Sequence, residues 1–267
     1  NELPTALIVS PRSTCAAGCR GCSRGATKAF SKPDDNYIEK HVRQIAEEYY
    51  ERGFDKSELA SVSITTGSHA TEKKEVEMLT EIMDVYRKFG FDNAKFMIYN
   101  HILRSREAMQ AILDAGAIGY IGAIETMNDE LRCIHWGDVK GGQTFEDHLR
   151  RYELAKDVGF KIVETNYVVG IDPYEEMMRG IVKLDNEGVA VVPNIMRSYN
   201  TSQFQTIHPD VFDVGASYIF NAFDVCIDSY RHPTIKKYAG KKSVDYLHRR
   251  GLWPQLTHYL QLPIRHT

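Results

Sequence analysis

The chain has 267 residues, of which 43% are hydrophobic and 26% charged, and carries a formal net charge of -3 at pH 7. That length suits one large α/β domain or two small ones, with enough chain to bury a sizeable core. Acidic and basic residues are interspersed, so no electrostatic footprint for nucleic acid is present, and no apolar run reaches the length that spans a membrane.

The start, Asn1-Glu2-Leu3-Pro4, has neither the charged n-region nor the apolar h-region of a secretory signal. It also has no initiator methionine, which leaves open that residues precede Asn1. A soluble, cytoplasmic protein is expected, without a membrane partner. From there, short β-branched runs alternate about six times with longer amphipathic stretches, the pattern of βαβ units on a parallel sheet. Strand one is expected at 5–10 and helix one at 35–52, where Ile38, Val42, Ile45 and Tyr49 share a face. Strand two follows at 60–65, then a charged amphipathic helix over 72–89 ending at Gly90. Strand three is placed at 95–99, a helix at 105–115 closed by Gly116, and strand four at 117–124. After a long loop come a helix over 145–158 stopped by Gly159, strand five at 161–169, a helix over 174–186 and strand six at 189–196. Residues 209–230 and 241–260 read as helix, with no convincing seventh or eighth strand. The expected fold is therefore α/β, a partial (β/α)6 TIM-type barrel over 1–205 with a helical C-terminal extension over 206–267. No internal repeat or linker divides it.

Between strand one and helix one lies Cys15-Ala16-Ala17-Gly18-Cys19-Arg20-Gly21-Cys22. Three thiolates on one tight loop can converge on one metal centre; four would close a zinc site or saturate a cubane cluster, whereas three leave a metal position open. Cys133 and Cys226 stand alone, without a C-x2-C partner pattern. A zinc site would need a histidine or carboxylate from elsewhere, and none is obvious near the loop; a disulfide pair plus a spare thiol is the other open reading. Clustered free thiols point to a reducing compartment.

Chemistry in parallel barrels gathers at the C-terminal ends of the strands. Strand two ends in Thr65-Thr66-Gly67-Ser68-His69, where the glycine lets the backbone approach a ligand and the hydroxyls add donors, or where a plain turn simply caps the next helix. Strand four ends in Ala123-Ile124-Glu125-Thr126, a carboxylate that is costly to bury without a partner. Alternation along strand five sets Glu164, Asn166 and Val168 on one face, and if that face lines the interior its polar groups need partners or a ligand. Arg197, after strand six, suits a carboxylate with bidentate geometry, or is a surface loop residue. His69, His101 and His135 lie near the same mouth, as substrate contacts, proton donors or structural residues. Tyr167, Tyr199, Met177 and Met178 read as packing.

C-x3-C-x2-C at the end of a first strand resembles the signature of the radical S-adenosylmethionine (radical SAM) enzymes. The resemblance implies a [4Fe-4S] cluster held through three irons by Cys15, Cys19 and Cys22, with the fourth iron chelated by the amino and carboxylate groups of SAM. The segment Thr65, Thr66, Gly67 and Ser68 resembles the one that holds SAM's amino group, although the common version has two glycines and a glutamate. Ile124-Glu125-Thr126, followed by a helix like that of 145–158, looks like the group of biotin synthase, the iron-iron hydrogenase maturase, methylornithine synthase and tyrosine lyase. In that likeness Glu125 binds SAM's ribose or methionine portion. His148 stands where members carry an arginine for SAM's carboxylate, with Arg150 or Arg151 as substitutes or as part of a solvated face. Val168, with Asn166 on its face and Gly170 beyond, matches the strand-five adenine contact, and Arg197 would meet a carboxylate of SAM or substrate. Gly21 replaces the aromatic residue usual before the third cysteine, which leaves the adenine wall to Phe30 or Val168.

The function so implied is cleavage of SAM to a 5′-deoxyadenosyl radical that abstracts hydrogen from a small-molecule, amino-acid-like substrate, leading to rearrangement, lyase or carbon–carbon bond chemistry. A reductant such as flavodoxin or ferredoxin would supply the electron. A second cysteine cluster is missing, which argues against sulfur insertion and the twitch-type relatives. Cluster-dependent aminocarboxypropyl transfer and a non-catalytic zinc or iron-sulfur scaffold are the alternatives.

Overall fold

The computed structural model describes residues 6–9, 15–19, 22, 36–59, 61–69 and 71–195. Gly21, Phe30, Arg197, Tyr199, Cys226 and the helices and extension expected beyond residue 205 lie outside the described residues. Six strands form one parallel sheet in sequential order: β1 (Ala6–Val9), β2 (Ser61–Thr65), β3 (Lys95–Tyr99), β4 (Ala117–Glu125), β5 (Ile162–Val169) and β6 (Ala190–Ile195). The helices are α1 (Tyr37–Glu51), α2 (Glu72–Lys88), α3 (Arg106–Asp114), α4 (Asp129–Gly141), α5 (Phe145–Val158) and α6 (Tyr174–Asn186). The result is the partial (β/α)6 barrel that the alternation of the sequence predicts, with strand and helix bounds within about two residues of expectation. Among the described residues no helix is long and apolar enough to cross a membrane.

Local chemistry starts the helices. Thr71, Ser105, Asn128 and Thr144 each accept a hydrogen bond from an amide of the first turn, and Thr144 forms a full capping box with Asp147. These caps satisfy amides that no helical carbonyl reaches.

The two faces of the sheet divide the work. Val62 and Ile64 of β2, Phe96 and Ile98 of β3, and Val163 and Tyr167 of β5 pack outward into one apolar core with Leu79, Ile82, Met83, Tyr86, Ile112 and Ile181 of the helices. Ser63 and Thr65, Tyr99, Glu125, and Glu164, Asn166 and Val168 take the alternate positions and belong to the inner face.

One departure matters for function. The stretch after β4, expected as a long loop, carries α4, whose cap Asn128 accepts from the Leu131 amide at 2.9 Å. The helix breaks at Gly137, where φ is 66°, a left-handed backbone conformation that glycine adopts without strain.

Gly122 of β4 faces α5 so closely that a Cβ would lie 2.3 Å from Cε1 of Tyr152. The Tyr152 hydroxyl is itself fixed, donating to Thr165 Oγ1 at 2.7 Å, so the ring has little freedom to retreat. Gly122→Ala is expected to cost about 1–3 kcal/mol through overpacking, read as a lower urea midpoint with an unchanged slope.

Candidate active site at the barrel mouth

The cysteine loop is tied to the loop after β2 by two hydrogen bonds. The Ala16 amide donates to the Ser68 carbonyl at 2.8 Å, and the Ser68 amide donates to Cys15 Sγ at 3.3 Å. Cys19 is buried against Ala17, Trp136 of α4 and Ile171, with Cys15, Cys22, Leu131 and Val168 packed around them. The Cys19 thiol is raised to about 11, chiefly by burial, with Lys140 acting in the opposite sense and Cys15, Cys22 and Glu125 adding to the rise. Five elements therefore converge on this loop.

The loop after β2 is held from beneath by a carboxylate that sequence reading leaves unnoticed. Glu75 of α2 is fully buried; it accepts from Thr66 Oγ1 at 2.8 Å, from the His69 amide at 2.8 Å and from Asn100 Nδ2 at 2.6 Å. Ser68 Oγ in turn meets the His101 ring at 3.0 Å. Burial, reinforced by Lys140 and Arg151, lowers the His101 pKa to about 3, so the ring is neutral. Gly67 is buried beside these groups, and Thr65 lies next to Tyr99 in the strand register.

Strand four ends under strain. Glu125 has φ 64°, the one positive φ on a non-glycine residue among those described, where the β4–β5 register shifts. Such a conformation persists only where its surroundings enforce it. Arg132, fully buried, supplies that enforcement by donating to the carbonyls of Ile124 at 2.9 Å and Gln143 at 2.8 Å and to that of Thr126. Asp172 accepts from the Met127 and Asn128 amides at 2.8 and 3.0 Å. The turn delivers the Glu125 carboxylate to an ion pair with Lys140 of α4. Burial works against the charged form of Lys140, but Glu125 and the thiols outweigh it and its pKa is raised. Tyr99 stands near the same group: burial, then the Glu125 charge, hold its phenol well above its ordinary pKa, with hydrogen bonding to Asn166 acting in the opposite sense.

The expected site residues are thus partly gathered. Cys15, Cys19, Cys22, Thr65 to Ser68, Glu125, Asn166 and Val168 share the mouth. His148 does not present itself there in the expected way: it is wholly buried on α5 beside Tyr152, and neither ring nitrogen has a hydrogen-bond partner among the described residues. Burial and the charges of Arg151 and Arg132 keep it neutral. Arg150 is solvated and paired with Asp147. Arg151 is buried and donates to the His101 carbonyl at 3.0 Å, which makes it a brace for the mouth. His135 stacks edge-on with Trp136. Reading the sequence missed Lys140, Trp136, Glu75, Asn100 and Arg132; the capping residue Asn128 followed by Asp129 and Glu130 was the available signal for the helix that carries three of them.

The donor set fits a cluster: Cys15, Cys19 and Cys22 pack together on one loop, and a cluster asks each thiolate to reach a separate metal. Beside the thiols, Glu125 and Lys140 present opposite charges, complementary to the ammonium and carboxylate of an amino-acid head group.

Glu164, buried on the inner face, has its pKa raised to about 7 by desolvation. The folded chain then binds a proton there that the unfolded chain, near 4.5, releases. Its contribution to stability is present below about 4.5 and is lost as pH rises to about 7. The stability difference between wild type and Glu164→Gln is expected to shift by up to roughly 3 kcal/mol across that window, in favour of the variant at high pH, measured by urea unfolding at several pH values.

A family profile described as the radical SAM superfamily matches residues 9–184. Among solved structures, the chain is similar to the FeFe-hydrogenase maturase HydG from Carboxydothermus hydrogenoformans, at 14% identity and a TM-score of 0.64, over 85% of this chain and 50% of that one. It is similar to methylornithine synthase (PylB), at 14% identity and TM-score 0.59, over 83% of this chain and 62% of that one. A third likeness is to anSMEcpe with bound AdoMet, at 15% identity and TM-score 0.55, over 82% of this chain and 60% of that one. The chain thus spans between half and two thirds of these proteins, and at such identities the likeness concerns the fold. The search of curated proteins returned no match.

Proposed function

Because the chain belongs to the radical SAM superfamily, whose members use a [4Fe-4S] cluster and SAM, we propose that Cys15, Cys19 and Cys22 hold the cluster and that the mouth of this barrel is the SAM site. When bound, these groups supply a 5′-deoxyadenosyl radical, made by one-electron reductive cleavage of SAM, that takes a hydrogen atom from a substrate. The observation that carries the reading is the tie of the cysteine loop, through Ala16 and Cys15, to Ser68 at the end of β2. It supports the reading by holding the thiol-bearing loop beside the end of β2.

The chain's own residues would then divide the cofactor between them. Thr65, Thr66, Gly67 and Ser68, shaped by Glu75, offer backbone and hydroxyl groups to the methionine portion of SAM. Glu125 and Lys140 exchange their mutual ion pair for the ammonium and carboxylate of that zwitterion, so that Lys140 does what the arginine at the position of His148 does in the resembling group. Val168 lies on the face with Asn166 and supplies an apolar wall for adenine. Trp136, Ile171 and Ala17 exclude water from Cys19, as control of a reactive radical demands. Arg197 is proposed for a carboxylate of SAM or substrate. The reaction class is hydrogen abstraction from a small, amino-acid-like molecule, followed by rearrangement, lyase or carbon–carbon chemistry, with flavodoxin or ferredoxin as reductant.

Anaerobically reconstituted protein, given dithionite and SAM, is expected to release 5′-deoxyadenosine, and Cys19→Ala is expected to release none. Formation of the nucleoside by Cys19→Ala, or of 5′-methylthioadenosine by the wild type, overturns the reading. Lys140→Met is expected to weaken SAM binding about tenfold or more, the loss of one charge-assisted contact, while Lys140→Arg retains most of it; equal affinities for wild type and Lys140→Met remove Lys140 from the site.

A further inference from the structure

The inner face of β5 carries a group that neither the cysteine loop nor the SAM-binding residues account for. Along this strand Val163 and Tyr167 pack into the sheet–helix core, and Thr165 Oγ1 accepts from the Tyr152 hydroxyl of α5. Glu164, Asn166 and Val168 therefore point the other way, into the barrel. Glu164 is only 8% exposed. No hydrogen bond or ion pair from any described residue reaches its carboxylate, and its lateral neighbours in the strand register are Ile121 and Ala190, both apolar.

A buried carboxylate with no partner is costly, and folded chains keep such groups only rarely. Packing gives no reason for it, since an apolar side chain would fill the position between Ile121 and Ala190 better. Its place relative to the mouth is informative. Val168 touches the cysteine-loop cluster, Asn166 reaches Tyr99, and Glu164 lies two further inward positions down the strand, about 13 Å below Val168 along an extended backbone. Along that span the inner face of β5 carries Asn166 between the two, and at its lower end Glu164 is flanked by Ile121 and Ala190.

We propose that Glu164 is the floor of the substrate cavity and binds the primary ammonium group of a small amine or amino-acid-like substrate. The inference rests on the radical SAM reading for the location of the reacting end, and it names what the opposite end of the substrate must carry. An ammonium supplies the missing partner: it donates hydrogen bonds to the carboxylate and compensates the charge that burial disfavours. A neutral apolar group at that depth would leave the carboxylate as costly as before, and a carboxylate would be repelled.

The test uses the anaerobically reconstituted, SAM-loaded protein and two probes of equal length, n-butylamine and n-butanol, titrated at pH 8 and followed by ligand-observed NMR. Wild type is expected to bind the amine at least tenfold more tightly than the alcohol. Glu164→Gln, nearly isosteric, is expected to lose that preference, and Glu164→Asp to keep part of it. Equal binding of the two probes by wild type overturns the inference, whatever the variants do, and so does a preference that survives in Glu164→Gln. The two readings fail separately: wild type that makes 5′-deoxyadenosine but shows no amine preference contradicts only the role of Glu164, while an amine preference without the nucleoside contradicts the radical SAM reading.

Discussion

Everything at the mouth depends on the exchange between Ser68 and the first turn of the cysteine loop. The described residues of the loop, 15–19 and 22, lie in no helix or strand, and a short strand, Ala6–Val9, precedes them in the chain. The Ala16 amide on the Ser68 carbonyl and the Ser68 amide on Cys15 Sγ fix its height and rotation above β2. Ser68 can do this because its own loop is rigid, gathered onto Glu75 by Thr66, the His69 amide and Asn100. The path runs from a buried carboxylate on a helix, through a loop, to a sulfur. Three links of ordinary strength place a thiol that no helix or strand positions directly.

The opposite wall is built by strain and compensation. Glu125 takes a backbone conformation that its Cβ disfavours, and Arg132 and Asp172 hold the flanking carbonyls and amides so that the turn cannot relax. Two buried charges thus serve geometry, whereas the Glu125–Lys140 pair lies beside the thiols. In the proposed site its partners would exchange one another for the charges of a ligand. Arg132 and Asp172 behind it are committed to the turn, holding its carbonyls and amides, with Arg132 also paired to Asp129.

Most of the fold was legible in the sequence because period and punctuation agreed: β-branched runs of strand length, and helices closed by Gly90, Gly116 and Gly159. The cysteine loop was legible for a different reason, its spacing. Helix α4 was not, since Gly137 interrupts its apolar period and a broken helix resembles a loop when read residue by residue. With it went Lys140 and Trp136. Glu75 was hidden by its neighbours, for in Glu72-Lys73-Lys74-Glu75 one acid among four charged residues gives no sign that it alone turns inward. His148 illustrates the converse, a position matched along the chain whose ring is sealed between α5 and the barrel wall. Alternation on β5 did single out Glu164, but only the fold showed that its neighbours are apolar.

The central claim is that the cysteine loop holds a cluster with one iron left open to SAM. The most direct measurement is the electron paramagnetic resonance spectrum of the reduced, anaerobically reconstituted protein before and after SAM is added. A [4Fe-4S] signal whose g values change on addition of SAM is the predicted result. A signal indifferent to SAM, or protein that takes up one zinc and no sulfide under reconstitution, contradicts it.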